Sequence, residues 1–143
     1  MKHAITILGV ATLLAGAVPA VYAQPTQTQD IQTRADNLFQ QGEAKRQSGD
    51  FKGAVKIYNQ VLQLDATNTS AYVSRGIARF ELRDKQGAID DFTQALQLNG
   101  NDAEVYRKRG SVYLTLGNKK AARNDFQQAA KLSGSQSGGQ NSQ

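Results

Sequence analysis

Two adjacent carboxylates, Asp90 and Asp91, and two basic runs, Arg75, Arg79 and Arg83 at i, i+4, i+8 and Arg107-Lys108-Arg109, have types and spacings that invite a chemical reading. Adjacent helical residues do not face one another, so Asp90 and Asp91 make no general acid/base pair. The basic runs suit a surface for anionic partners. They better suit arginines that bridge to carboxylates such as Asp90 and Asp91 on a paired helix, the preferred reading for Arg75, Arg79 and Arg109. Residues 24–143 contain no His, Cys, Met or Trp. That removes thiolate nucleophiles, Ser-His relays, an imidazole base near neutral pH and soft-ligand metal sites. No glycine-rich loop has phosphate-binding spacing. The expectation is a chain that is not an enzyme, with no catalytic residue, cofactor or metal.

The 143-residue chain carries a formal charge of +5, and its first 23 residues differ in kind from the rest. Lys2 and His3 precede an uncharged apolar run from Ala4 to Val18, and Pro19 leads into the small-residue pattern Val21-Tyr22-Ala23. This reads as a secretory signal peptide over 1–23, cleaved after Ala23, because the run is short of the roughly 20 residues that span a bilayer. The alternative is an uncleaved anchor, since Ala4 to Ala23 is wholly uncharged and spans if tilted. Either way the remainder is expected outside the cytoplasm, in the periplasm or an equivalent compartment. Cleavage leaves 120 residues with 16 basic and 12 acidic side chains. Without cysteine, packing alone must hold the fold together despite the oxidising compartment.

The elements that position the charged residues emerge from self-comparison at a shift of 34 residues. Gly42, Gly76 and Gly110 align, and so do Ala54, Ala88 and Ala122, and the rings of Tyr58, Phe92 and Phe126. Leu38, Tyr72 and Tyr106 form a further column; Val61, Ala95, Ala129 and Leu64, Leu98, Leu132 complete the register without insertion. Each unit reads as two helices, Ala35 to Ser48 with Phe51 to Leu64, Thr69 to Leu82 with Lys85 to Leu98, and Ala103 to Leu116 with Lys119 to Leu132. Gly49-Asp50, Arg83-Asp84 and Gly117-Asn118 make the inner turns. Asn101 followed by Glu104 resembles a capping box. The glycine and alanine columns permit close helix approach, and the aromatic column fills the adjoining gap. One hairpin cannot bury that face alone, so the units must stack.

The 34-residue period, with Gly at position 8, Ala at 20, an aromatic ring at 24 and a mostly small residue at 27, resembles tetratricopeptide repeats. The resemblance covers about 98 residues and implies an all-α fold, a right-handed α-solenoid of three antiparallel helix hairpins. The units are expected at 35–68, 69–102 and 103–134, after a flexible linker at 24–34 and before a disordered tail at 135–143; Ile31, four before Ala35, alternatively starts the first helix near Asp30. The segment DKQGAIDDFTQALQLN resembles repeats common in oxygenic photosynthetic bacteria, which implies a bacterial source. The usual Trp at position 4 is replaced by Leu38, Tyr72 and Tyr106, and the Leu at 7 by Gln41, Arg75 and Arg109.

The resemblance also implies a protein or peptide partner held in a groove lined by the first helix of each hairpin. Carried over by position, that groove contains Phe39, Glu43, Val73, Ile77, Phe80, Arg107, Ser111 and Leu114, an apolar stripe with a mixed-charge border. Some of these side chains are alternatively core between repeats. The family's carboxylate clamp for chaperone C-termini falls on Phe39, Glu43, Ser74, Glu104 and Lys108, of which Lys108 alone is compatible. Nucleic acid is not expected as a partner, and a membrane enters if the leader is uncleaved. The third hairpin has no successor, so Phe126, Ala129, Ala130 and Leu132 are expected to be partly open. Terminal repeats normally carry a polar cap, which makes homo-oligomerisation through this end, or docking of a larger partner, a further expectation. An envelope-associated assembly role through the basic surface is the alternative to the groove.

Overall fold

The computed structural model describes residues 24–137, which form six helices in chain order: α1 Gln24–Gln47, α2 Phe51–Leu64, α3 Thr69–Glu81, α4 Lys85–Leu98, α5 Ala103–Thr115 and α6 Lys119–Ser137. They pack as three successive hairpins, α1/α2, α3/α4 and α5/α6, with α2 against α3 and α4 against α5. Among the described residues there is no strand, and no helix is long and apolar enough to cross a membrane. Residues 1–23, where a leader is expected, lie outside the described residues, as do 138–143.

The hairpins repeat because their local signals repeat. Asp50, Asp84 and Asn118 cap the second helices by accepting from the backbone N–H groups of Gly53, Gly87 and Ala121, which satisfies donors that a helix start leaves unpaired. Each preceding helix closes with a six-to-one backbone bond, Asp50 to Lys45, Asp84 to Arg79 and Asn118 to Tyr113, all 2.9 Å. That closure needs a left-handed residue, supplied by Gly49 at φ 81°, Arg83 at φ 67° and Gly117 at φ 77°.

The glycine column works as expected. A Cβ at Gly42 would lie 2.5 Å from the Tyr58 ring, one at Gly76 2.9 Å from Phe92, and one at Gly110 3.0 Å from Phe126. The rings therefore occupy the space a side chain would take, and Ala54, Ala88 and Ala122 are fully buried beside them.

Three details differ from the sequence-based expectation. Residues 24–34, expected as a linker, are the opening turns of α1: the stretch has no glycine, Pro25 sits in the first turn where proline is tolerated, and Gln32 donates to Asp36 one turn on. Likewise α6 continues past Leu132 to Ser137. The cap of α5 is Asp102 and not Asn101, because Asp102 immediately precedes the helix and its Oδ1 accepts from Glu104 N at 2.9 Å and Val105 N at 3.1 Å. At the open end, Phe126 and Leu132 are half-buried and Ala130 is exposed, whereas Ala129 is buried at the position where Val61 and Ala95 are also buried.

Candidate functional site

The first helices α1, α3 and α5 share one face, and on it the expected groove divides into two cavities. One, of about 460 Å³, has Ile77, Phe80, Phe92 and Val112 as its apolar floor, with Arg107, Lys108, Glu104 and Ser111 of α5 and Arg46 of α1 around it. The other, of about 420 Å³, lies between Phe39, Glu43, Val73 and Ser74 on one side and Asn99 and Asp102 on the other. Seven of the eight expected groove residues fall in these two. Leu114 does not: it lines a separate cavity of about 520 Å³ with Phe126, Ala130, Lys119 and Arg123. The reason is directional. Arg46, Phe80 and Leu114 occupy equivalent places; the first two share a cavity with residues of a later hairpin, whereas among the described residues no hairpin packs beyond α6 and Leu114 is 51% exposed.

Glu43 is in the groove yet occupied. Its Oε1 accepts from the Tyr58 hydroxyl at 2.6 Å and its Oε2 from Arg46 Nη2 at 2.6 Å. Burial by itself raises its pKa, but hydrogen bonds from Arg46, Tyr58 and Ser74, helped by the Arg46 charge, outweigh that and bring it to about 2. Burial and the hydrogen bond to Glu43 push the Tyr58 hydroxyl well above the usual phenol range. Glu43 thus ties α1 to α2 with a fixed negative charge and has little capacity left for a ligand. At the other cavity Glu104 accepts from Lys108 Nζ and from Arg107 Nε, both at 2.9 Å, and these bonds lower its pKa. Arg107 and Lys108 stay accessible, because their pairing is with an exposed carboxylate that water screens.

The arginines beneath this face are structural. Arg75 donates to both oxygens of Asp91 at 2.9 and 2.6 Å and reaches back to Asn59 of the preceding hairpin at 2.6 Å. Arg79 adds a bond to Asp91 at 3.0 Å. One period later Arg109 donates to Asp125 at 2.9 and 2.8 Å and to Thr93 at 3.0 Å. Arg75 also stacks over Tyr72, and Arg109 over Tyr106 and Tyr113. The bridging expected for these arginines is present, with Asp91 and Asp125 as acceptors; Asp90 is exposed and accepts from Gln86 instead. Sequence reasoning missed Asp125, although Arg75 to Asp91 and Arg109 to Asp125 are both sixteen residues. Among the described residues no cluster of three His, Cys, Asp or Glu is placed to hold a metal ion.

Comparison with known proteins agrees with this geometry. Residues 42–82 match the model of the TPR repeat family and residues 73–138 that of the tetratricopeptide repeat. No curated protein matches the chain. Among solved structures, the second TPR of Spaghetti (RPAP3) bound to the HSP90 peptide SRMEEVD superposes with a TM-score of 0.71 at 24% identity, over 75% of this chain and 98% of that one. The Arabidopsis OM64 TPR domain gives 0.66 at 28% identity, over 68% and 81%. MamA gives 0.66 at 26% identity, over 79% of this chain and 62% of MamA.

Proposed function

Because the chain belongs to the tetratricopeptide-repeat family, we propose that it is a non-catalytic interaction scaffold that takes a partner peptide or helix on the shared face of α1, α3 and α5. On this reading the three hairpins are three tandem repeats in a bacterial protein, exported to the periplasm or an equivalent compartment by its leader. The observation that carries it is the half-buried pair Ile77 and Phe80, which lies between α3 and α5 above the buried Phe92 and Val112 and is bordered by Arg107, Lys108 and Ser111. Apolar surface of this kind, with polar groups at its edge, gains free energy when a partner covers it.

Proteins of the same fold support the idea that the chain holds a peptide, since the RPAP3 domains were solved with HSP90 or HSP70 peptides. The partner here is of another kind. Where a clamp for a C-terminal carboxylate is expected, this chain has Phe39, Glu43, Ser74 and Glu104, and Lys108 is already bonded to Glu104. An amphipathic or apolar segment fits better than an acidic C-terminus. Replacing Phe80 with Glu is expected to abolish capture of the native partner in a pull-down while helical circular dichroism is retained. Undiminished capture by a folded Phe80→Glu protein contradicts the groove.

A second reading, an envelope-associated assembly role through a basic surface, draws on Lys119, Lys120 and Arg123, which form no ion pair among the described residues. Binding that collapses with added salt would favour it, since exposed charges are screened and apolar burial is not.

A further inference from the structure

The edge formed by the inner turns of the second and third hairpins carries an inference that goes beyond the groove and does not depend on it. We propose that this edge docks on the surface of an anionic lipid bilayer, with Leu82 and Leu116 at the headgroup boundary and the surrounding cations on lipid phosphates. It shares Lys119 and Lys120 with the second reading above but gives them a lipid ligand.

The two turns are neighbours and present the same pattern. Leu82-Arg83-Asp84-Lys85 closes α3 and opens α4, and Leu116-Gly117-Asn118-Lys119-Lys120 does the same for α5 and α6. The Lys85 ammonium joins them by donating to the Thr115 carbonyl at 3.2 Å. Leu82 is 36% and Leu116 48% exposed. Because α5 packs against α4, the exposure of Leu82 belongs to the turn and not to a missing neighbour. The first hairpin has Ser48 at this place.

The charge around the leucines is positive. Arg83, Lys119 and Lys120 form no ion pair among the described residues. Two carboxylates share the edge, Glu81 and Asp84, and Asp84 is occupied by the Gly87 N–H at 2.9 Å and by Arg79 at 3.7 Å. After Lys119 and Lys120 the next carboxylate is Asp125, which is buried against Arg109.

Arg83 adds an independent sign. It takes φ 67° where Gly49 and Gly117 serve the equivalent turns, a conformation costly for any side chain. No bond from its guanidinium within the described residues offsets that cost. A strained residue with an unused side chain points to a ligand outside the fold. The leucines identify the ligand: a soluble polyanion gives exposed apolar side chains nothing, whereas a bilayer takes them at its interface while its phosphates take the cations.

The chain has no cysteine, so one introduced cysteine carries an environment-sensitive dye without interference. The full chain is labelled at Leu116→Cys, or at Asn101→Cys beyond the far end of α5. Each is titrated with vesicles of phosphatidylglycerol and phosphatidylcholine, and with vesicles of phosphatidylcholine alone. A blue shift is expected at Leu116→Cys with the anionic vesicles and not with the neutral ones, and at Asn101→Cys with neither. Lys119→Glu/Lys120→Glu should weaken the apparent affinity at least about tenfold. Arg83→Gly should weaken it about fivefold while thermal stability is equal or higher, a combination that a purely structural arginine does not produce. The proposal is overturned by equal shifts with the two vesicle compositions, by equal shifts at the two labelled positions, or by affinity retained in Lys119→Glu/Lys120→Glu. Polyglutamate that binds this edge as tightly as the anionic vesicles overturns it too, making a soluble polyanion the occupant. Absence of vesicle binding overturns it and leaves the groove and the salt-sensitive assembly role untouched.

Discussion

The first hairpin and the two that follow share a backbone but differ beneath the groove. Hairpins two and three each contain an arginine that binds an aspartate of its own second helix and a polar side chain of the hairpin before it. The first has Gln41 and Ile57 at those places, and among the described residues no hairpin packs before it. The difference shows that the Arg–Asp pairs belong to the seams between hairpins. Where there is no seam, the chain omits the buried charge. The two outer faces differ in degree: α1 exposes Ala44 among polar Asn37, Gln40 and Gln41, with Ile57 half-buried beside them, whereas α6 exposes Ala130 beside the half-buried ring of Phe126.

Breaking a seam should have the largest effect. Asp91→Ala leaves Arg75, 14% exposed, without its carboxylate and Arg79, 25% exposed, with only the more distant Asp84 at 3.7 Å, and is expected to cost about 3–5 kcal/mol in urea unfolding. Asp125→Ala, which strands one arginine, should cost less. If Asp125→Ala proves the costlier, the seams are not ranked by their charge content. Gln41 and Ile57 sharpen the contrast, because alanine at Gln41 is expected to be within about 0.5 kcal/mol of wild type.

The next effect is a pH dependence centred on Glu43 of the first hairpin. The Glu43 pKa is depressed from 4.5 to about 2, so its contribution is full above the unfolded-state value and disappears as pH falls from about 4.5 toward 2. After solvent screening this amounts to roughly 1–2 kcal/mol. Glu43→Gln should flatten that part of the stability curve and leave stability above pH 5 lower; an unchanged acid slope would mean that Tyr58 and Arg46 do not hold the carboxylate.

The smallest effect separates the inner turns. Arg83 adopts the left-handed conformation that Gly49 and Gly117 supply freely, so Arg83→Gly should stabilise by about 0.5–1 kcal/mol, the relief of strain exceeding the added freedom of the unfolded chain. Destabilisation would show that the Arg83 side chain contributes more than its backbone costs.

Much of this was legible in the residues. The glycine, alanine and aromatic columns state the period, the helix count and the contact between Gly42 and Tyr58, because the same packing problem is solved three times. A shared cavity was legible at Ile77 and Phe80 but not at Leu114, since a column aligns residues by place in the repeat and does not report what packs beside each one. Glu43 illustrates a second limit: that it is spent on Tyr58 and Arg46 depends on a hydroxyl arriving from another helix. The cap at Asp102 was obscured by the polar run Asn99 to Asp102, where several residues have capping chemistry and the helix start decides among them.

The central claim, that a partner lies on the floor between α3 and α5, is tested most directly by site-specific photo-cross-linking. A photoreactive amino acid at Ser111, exposed at the edge of that floor, is compared with one at Asp90, exposed on α4. The account predicts one cross-linked partner from Ser111, none from Asp90, and loss of the Ser111 product in a folded Phe80→Glu background. Equal capture from both positions, or a Ser111 product that survives Phe80→Glu, would contradict it.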